Sequence, residues 1–66
     1  MQILLNGEPR EVADDATLAD LLSTLTLGEN RFAVEINEEL IPRSEHTLQR
    51  LRPDDRVEIV QAIGGG

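Results

Sequence analysis

The residues with the clearest capacity for chemistry are the three glycines at the end of the 66-residue sequence: Gly64, Gly65 and Gly66. Three extended residues span roughly 10 Å, so they can carry the carboxylate of Gly66 off a folded domain and into a narrow channel of another protein. Glycine has no side chain to obstruct that entry. Composition alone leaves a second interpretation equally open, in which these glycines are a frayed end or the start of a linker.

Composition excludes several classes of function. Thirteen acidic residues against six basic ones give a net charge of −7, which disfavours binding to nucleic acids or anionic membranes and suits a partner with a basic surface. The absence of cysteine excludes disulfides, zinc–thiolate sites and sulfur chemistry on the chain's own thiols. His46, the only histidine, has no second ligand at metal-binding spacing. Without a membrane-spanning apolar stretch or a signal peptide, the sequence predicts a cytoplasmic protein.

The first elements that must position the tail form a predicted β-hairpin. Asn6 and Gly7 are the dipeptide most typical of a two-residue hairpin turn. The turn separates an apolar strand over residues 2–6 from a return strand over residues 9–13.

An amphipathic helix is predicted next. Thr17 and Asp20 have the spacing of a capping box at a helix N-terminus. Leucines follow at the i, i+3, i+4 and i+7 positions, which indicates two to three helical turns with one apolar face. Gly28 is the expected stop. The leucines are Leu18, Leu21, Leu22 and Leu25.

The second half of the sequence predicts three more strands and one irregular connection. Apolar residues alternate with polar ones in the first and last of these strands, as expected where one strand face is buried. The connection, residues 43–51, is polar, with Leu48 and Leu51 as its expected apolar anchors and a single helical turn within it. The strands are predicted over residues 32–37, 40–42 and 56–63.

These elements predict one domain over residues 1–63, followed by a glycine tail over residues 64–66. A right-handed crossover through the helix places the last strand in the middle of the sheet, parallel to the first. The sheet face away from the helix then carries a small apolar patch at the root of the tail, which is the candidate docking surface. Scattered surface aliphatics are the alternative explanation. The patch consists of Leu4, Ala33, Val60, Ala62 and Ile63.

The order of elements and the final diglycine resemble the β-grasp fold of ubiquitin-like proteins. More narrowly, the sequence is similar to the ThiS family of sulfur carriers in thiamin biosynthesis. The similarity rests on the opening MQILLNG, the strand AVEIN followed by Ile41-Pro42-Arg43, the segment DDRVE, and the Gly65-Gly66 end. It implies an α+β fold with a mixed sheet of four to five strands around one main helix, and a flexible tail.

The resemblance implies a carrier that is a co-substrate of other enzymes and is not itself an enzyme. A ThiF-type enzyme would use ATP to adenylate the Gly66 carboxylate. A persulfide from a cysteine desulfurase or another donor would then convert it to a thiocarboxylate, and thiazole synthase (ThiG) would take that sulfur for the thiazole ring. We expect no bound cofactor or metal, no nucleic-acid or membrane partner, and a monomer when the carrier is free.

Two other classes of function fit the same residues. A carrier for molybdopterin synthesis or transfer-RNA thiolation, or a ubiquitin-like modifier joined to lysines of other proteins, would share the fold and the tail. A plain interaction module would have an inert tail. Deletion of Gly66 separates the module, which would keep its function, from the carriers and modifiers, which would lose it.

Overall fold

The computed structural model describes residues 1–27 and 31–61. Its elements in chain order are β1 (Gln2–Leu5), β2 (Glu8–Glu11), α1 (Leu18–Ser23), β3 (Phe32–Ile36), β4 (Glu39–Ile41), a 3₁₀ turn (Arg43–Glu45) and β5 (Arg56–Gln61). No helix in the described part of the chain has the length and apolar character needed to cross a membrane.

The five strands form one mixed sheet in the order β2-β1-β5-β3-β4. β5 pairs in parallel with β1 and antiparallel with β3. The prediction of a central last strand, parallel to the first, is therefore confirmed. The predicted continuation of this strand over Ala62 and Ile63, and the domain boundary after Ile63, lie outside the described residues.

Both hairpins are closed by two-residue turns in the left-handed region of backbone conformation. Asn6 and Gly7 have φ values of 50° and 84°, and Asn37 and Glu38 have values of 52° and 71°. The first turn confirms the prediction made from the Asn-Gly dipeptide. Left-handed φ values at both central positions match the right-handed twist of the strands, and glycine and asparagine tolerate them best.

These tight turns also correct the predicted strand boundaries on both sides. Asn6 and Asn37, the last residues of the predicted strands 2–6 and 32–37, lie in the turns, so β1 ends at Leu5 and β3 at Ile36. The first turn places Glu8 directly opposite Leu5, so the return strand is Glu8–Glu11 and does not cover residues 9–13. The second turn places Glu39 opposite Ile36, so the edge strand is Glu39–Ile41 and not residues 40–42. In both cases pairing begins at the first residue after the turn.

The helix begins as predicted. The Asp20 amide donates to Thr17 Oγ1 at 3.2 Å, and the Thr17 amide donates to Asp20 Oδ2 at 3.0 Å, which completes the capping box. The connection after β4 satisfies two further amides of the first turn. The Leu18 amide donates to the Gln49 carbonyl at 2.8 Å and the Ala19 amide to the His46 carbonyl at 2.9 Å.

The helix is shorter than predicted and ends at Ser23. The hydroxyls of Ser23 and Thr24 each donate to the backbone carbonyl three residues earlier, at 2.7 Å. Such bonds compete with helix propagation, and both residue types have low helix propensity. Leu25 is half-buried beyond the helix, and the predicted stop at Gly28 lies outside the described residues.

The core fills the space between the sheet and α1. Of the two anchors predicted in the connection, Leu51 is 4% exposed, but Leu48 is 77% exposed and that prediction is wrong. The His46 and Gln49 carbonyls on either side of Leu48 accept hydrogen bonds from α1, and the Leu48 side chain itself lies in solvent. The buried apolar residues are Ile3, Ala16, Leu18, Leu21, Val34, Ile36, Ile41, Leu51 and Val57.

Candidate functional site

The sheet face opposite α1, here called the open face, contains the candidate docking surface. Alternation along β5 turns Val57 and Ile59 toward the core. Arg56, Glu58 and Val60 therefore lie on the open face, and all three are exposed. The central strand that precedes the glycine tail thus presents its alternate residues to a partner.

The structure brings together only part of the predicted docking patch. Val60 lies directly opposite Ala33 on β3, and Val60 is 62% exposed. Leu4 is half-buried beside Arg56 at the other end of β5, roughly 13 Å along the strand from Val60. Ala62 and Ile63, the remaining patch residues, lie outside the described residues.

Sequence reasoning missed Leu40 on the open face. Leu40 lies on β4 opposite Glu35 and is 62% exposed. The signal was present in the alternation of the short strand, because a buried Ile41 requires that Leu40 face the other way. Exposed apolar side chains therefore lie on β4 as well as at the end of β5.

Two carboxylates occupy the middle of the open face. The register of β3 and β5 places Glu35 directly opposite Glu58. Neither carboxylate forms an ion pair with any residue in the ranges 1–27 and 31–61. Like charges in directly opposed positions are destabilising, and a cationic side chain of a partner would relieve their repulsion. The open face is therefore suited to a partner that combines apolar and basic groups.

The end of β5 is packed and hydrogen-bonded on the core side of the sheet. Gln61 pairs with Phe32, whose ring stacks on His46 with centroids 6.3 Å apart. The Arg43 guanidinium lies 5.6 Å from the Phe32 ring centroid, within the range of a cation–π interaction. Gln61 Nε2 donates to the Leu27 carbonyl at 3.4 Å. Gln61, the last described residue before the tail, thus contacts both β3 and the segment that follows α1.

The ThiS family matches this sequence over residues 3–66. The chain belongs to the ThiS family. The matched range includes Gly64, Gly65 and Gly66, although these glycines lie outside the residues that the structure describes. Family membership and the β-grasp fold, both predicted from the sequence, are confirmed.

Individual relatives of this ThiS-family chain agree with that assignment. The sulfur carrier protein ThiS of Escherichia coli (strain K12) is 30% identical over 66 residues, which is all of both chains. The crystal structure of the thiamine biosynthesis protein (ThiS) from Geobacter metallireducens superposes with a TM-score of 0.84, at 30% identity and full coverage of both chains. A thiazole synthase from Magnetococcus marinus is 39% identical over this whole chain, which spans only 20% of that relative.

Proposed function

We propose that this chain is a sulfur carrier of thiamin biosynthesis, in which Gly66 accepts the sulfur and later releases it. The observation that carries the proposal is the family match, because it extends from the first strand through the three tail glycines. The E. coli relative, which is covered over its whole length, is named a sulfur carrier protein. The fold supports the same conclusion through its similarity to the Geobacter protein.

The chemistry begins at the Gly66 carboxylate, which is too poor an electrophile to react with a sulfur nucleophile directly. One carboxylate oxygen attacks the α-phosphorus of ATP in a partner's active site, pyrophosphate leaves, and an acyl adenylate forms. The terminal sulfur of a persulfide then displaces AMP. Attack by a thiol on the S–S bond leaves a thiocarboxylate on Gly66 and a disulfide on the donor. The chain has no cysteine, so the persulfide and the thiol belong to partners.

The carrier supplies access and recognition, and the partners supply catalysis. Gly65 and Gly66 bring no side chain into the partner's channel, where the tetrahedral intermediate is crowded. General acid, general base and oxyanion stabilisation belong to the partner enzymes. The chain is therefore a co-substrate that carries no cofactor of its own.

Thiazole synthase is the proposed acceptor of the sulfur. The supporting observation is the Magnetococcus relative, a protein named thiazole synthase in which one fifth of the length aligns with all of this chain. A segment similar to this carrier and a thiazole synthase thus occur in one polypeptide. Such a fusion is expected if the carrier delivers its sulfur directly to the synthase. A ThiF-type adenylating enzyme and a desulfurase or other persulfide donor complete the proposed set, and the free carrier acts as a cytoplasmic monomer.

Partners are proposed to dock on the open face. Ala33 and Val60 form its apolar contact next to the end of β5. Ala62 and Ile63, which lie outside the described residues, are proposed to belong to the same docking surface. Leu4 lies on the same face beside Arg56, at the start of β5. The opposed Glu35 and Glu58 carboxylates favour a basic side chain between the apolar contacts, in agreement with the net charge of −7.

The test is the intact mass of the carrier after incubation with ATP, a persulfide donor and the adenylating enzyme. We expect a mass gain equal to the exchange of one oxygen for sulfur, dependent on ATP and absent when Gly66 is deleted. No gain under conditions that convert the E. coli carrier would refute the proposal. Adducts on lysines of other proteins would instead indicate a modifier.

A matched pair of substitutions tests the docking surface separately. Val60→Asp places a charge in the apolar contact and should slow the conversion, whereas Leu48→Asp, at a 77% exposed leucine off the sheet, should not. Equal rates for the two variants would reject the docking surface and leave the carrier function standing.

A further inference from the structure

Asn6 lies where β1 turns away from β5, the strand that precedes the tail. The parallel pairing of these strands covers only Leu4 with Arg56 and Leu5 with Val57. One more backbone bond follows, from the Asn6 amide to the Val57 carbonyl at 2.8 Å. The chain then reverses through Asn6 and Gly7, so the backbone of β1 does not accompany the rest of β5.

Beyond this point the Asn6 side chain, and not the backbone of β1, forms the next hydrogen bond to β5. Its Oδ1 accepts a hydrogen bond from the Ile59 amide at 2.8 Å, across 53 positions of sequence. Ile59 is the next residue of β5 whose amide faces β1, since alternate residues of a strand bond to opposite neighbours. On the other side, β3 remains paired with β5 as far as Gln61. Asn6 therefore adds one hydrogen bond on the side of β5 that faces β1.

We propose that Asn6 is a positioning residue for sulfur transfer, which holds the end of β5 so that the tail starts from a fixed place and direction. This inference rests on the proposed function, because it requires that Gly66 be delivered to a partner's active site. Reactions between bound groups are sensitive to placement, and a displacement of about 1 Å can lower a rate by as much as roughly 10²-fold. The position of the root determines where the tail can enter the partner's channel.

Few residue types can fill this position. The residue must tolerate a φ of 50° and must also present an acceptor oxygen two bonds beyond Cβ. Asparagine and aspartate meet both requirements, whereas glycine meets only the first. Asn6→Gly therefore removes the acceptor while keeping the turn, and Asn6→Asp restores the acceptor. Glu38→Gly is the matched control, because it places glycine at a φ of 71° in the other hairpin turn.

The first measurement is amide hydrogen exchange at Ile59 by NMR. Exchange should be faster in Asn6→Gly and should return to the wild-type rate in Asn6→Asp. The second is the steady-state rate of thiocarboxylate formation at varied carrier concentration. We expect kcat to fall roughly tenfold in Asn6→Gly, the effect of about 1.4 kcal/mol on the barrier. KM should stay unchanged, because the open face is intact, and Asn6→Asp should recover kcat. Glu38→Gly should match the wild type in both measurements.

The outcomes separate this inference from the proposed function. A wild-type kcat in Asn6→Gly, a change confined to KM, or a loss of kcat that Asn6→Asp does not recover would each overturn the inference alone. No sulfur uptake by the wild-type chain would overturn the proposed function and this inference with it. All variants are compared at a temperature at which circular dichroism shows them folded, so a difference in kcat does not arise from unfolded carrier.

Discussion

Replacement of Asp55 by alanine tests whether side-chain hydrogen bonds stabilise the turn that leads into β5. Asp55 is 8% exposed, and no other buried residue of the described ranges is polar or charged. Its carboxylate accepts hydrogen bonds from the Arg52 amide at 2.8 Å and from Asn37 Nδ2 at 3.0 Å. Asn37 Oδ1 in turn accepts from the Arg56 amide at 3.0 Å. The carboxylate therefore joins the turn before β5 to the turn after β3.

The expected loss of stability follows from these two bonds. Hydrogen bonds to a charged group contribute roughly 1.5–3 kcal/mol each, and water can partly replace those of the exposed donors. We therefore expect Asp55→Ala to lower the free energy of unfolding by about 3 kcal/mol. Domains of this size are stable by only about 3–10 kcal/mol. At roughly 4–8 °C per kcal/mol, Tm should fall by about 12–24 °C.

The assay is urea and thermal unfolding followed by far-ultraviolet circular dichroism, because the chain contains neither tryptophan nor tyrosine. Asp55→Asn keeps one acceptor oxygen and should lose about half as much stability. Asp15→Ala, the same change at an exposed turn carboxylate, should stay within about 0.5 kcal/mol of the wild type. A loss below about 1 kcal/mol in Asp55→Ala, or a loss equal to that of Asp15→Ala, would refute the reasoning.

Two further predictions concern stability. Leu51→Ala should lower the free energy of unfolding by about 3 kcal/mol and Leu48→Ala by less than about 0.5 kcal/mol, because only Leu51 is buried. Equal losses in urea unfolding would contradict the packing described. The hydrogen bond from the Met1 α-ammonium to Asp14, at 2.9 Å, raises the pKa of that ammonium. The stabilisation is complete below the unfolded-state pKa and is lost as pH rises through the folded-state pKa, so stability should decline above about pH 8. Asp14→Ala should flatten this decline, and an unchanged slope would contradict the assignment.

Features encoded by neighbouring residues were predictable from the sequence. The Asn6-Gly7 turn and the Thr17–Asp20 capping box each need only a few adjacent residues, and both are present. Alternation in the strands also identified the correct faces, because a period of two is independent of the partner strand. One helix between two groups of strands is compatible with only a few sheet topologies. The observed strand order is the simplest of them.

Features that depend on distant residues were not predictable. Leu51 is buried as predicted, but the exposure of Leu48 depends on how the connection is bonded to α1, which pattern alone does not show. The bond between Asn6 and Ile59 is a stronger example, because its partners are 53 positions apart. The Asn-Gly dipeptide accounts for Asn6 fully as a turn residue, so no pattern in the sequence indicates its second role.

Under the proposed function, the central position of β5 is what lets so small a domain present the sulfur-carrying end. A terminal strand at the edge of the sheet would be held by one neighbour, whereas β5 is paired with both β1 and β3. Changes in the edge strands should therefore affect docking or stability with little effect on where the tail begins. Changes beside the last residues of β5, at Asn6 on one side and Phe32 on the other, should affect the placement of the tail directly. Variants beside the end of β5 should therefore change mainly kcat, which reports how the tail is presented to the partner's active site. Variants on the docking surface should change mainly KM, which reports recognition of the carrier.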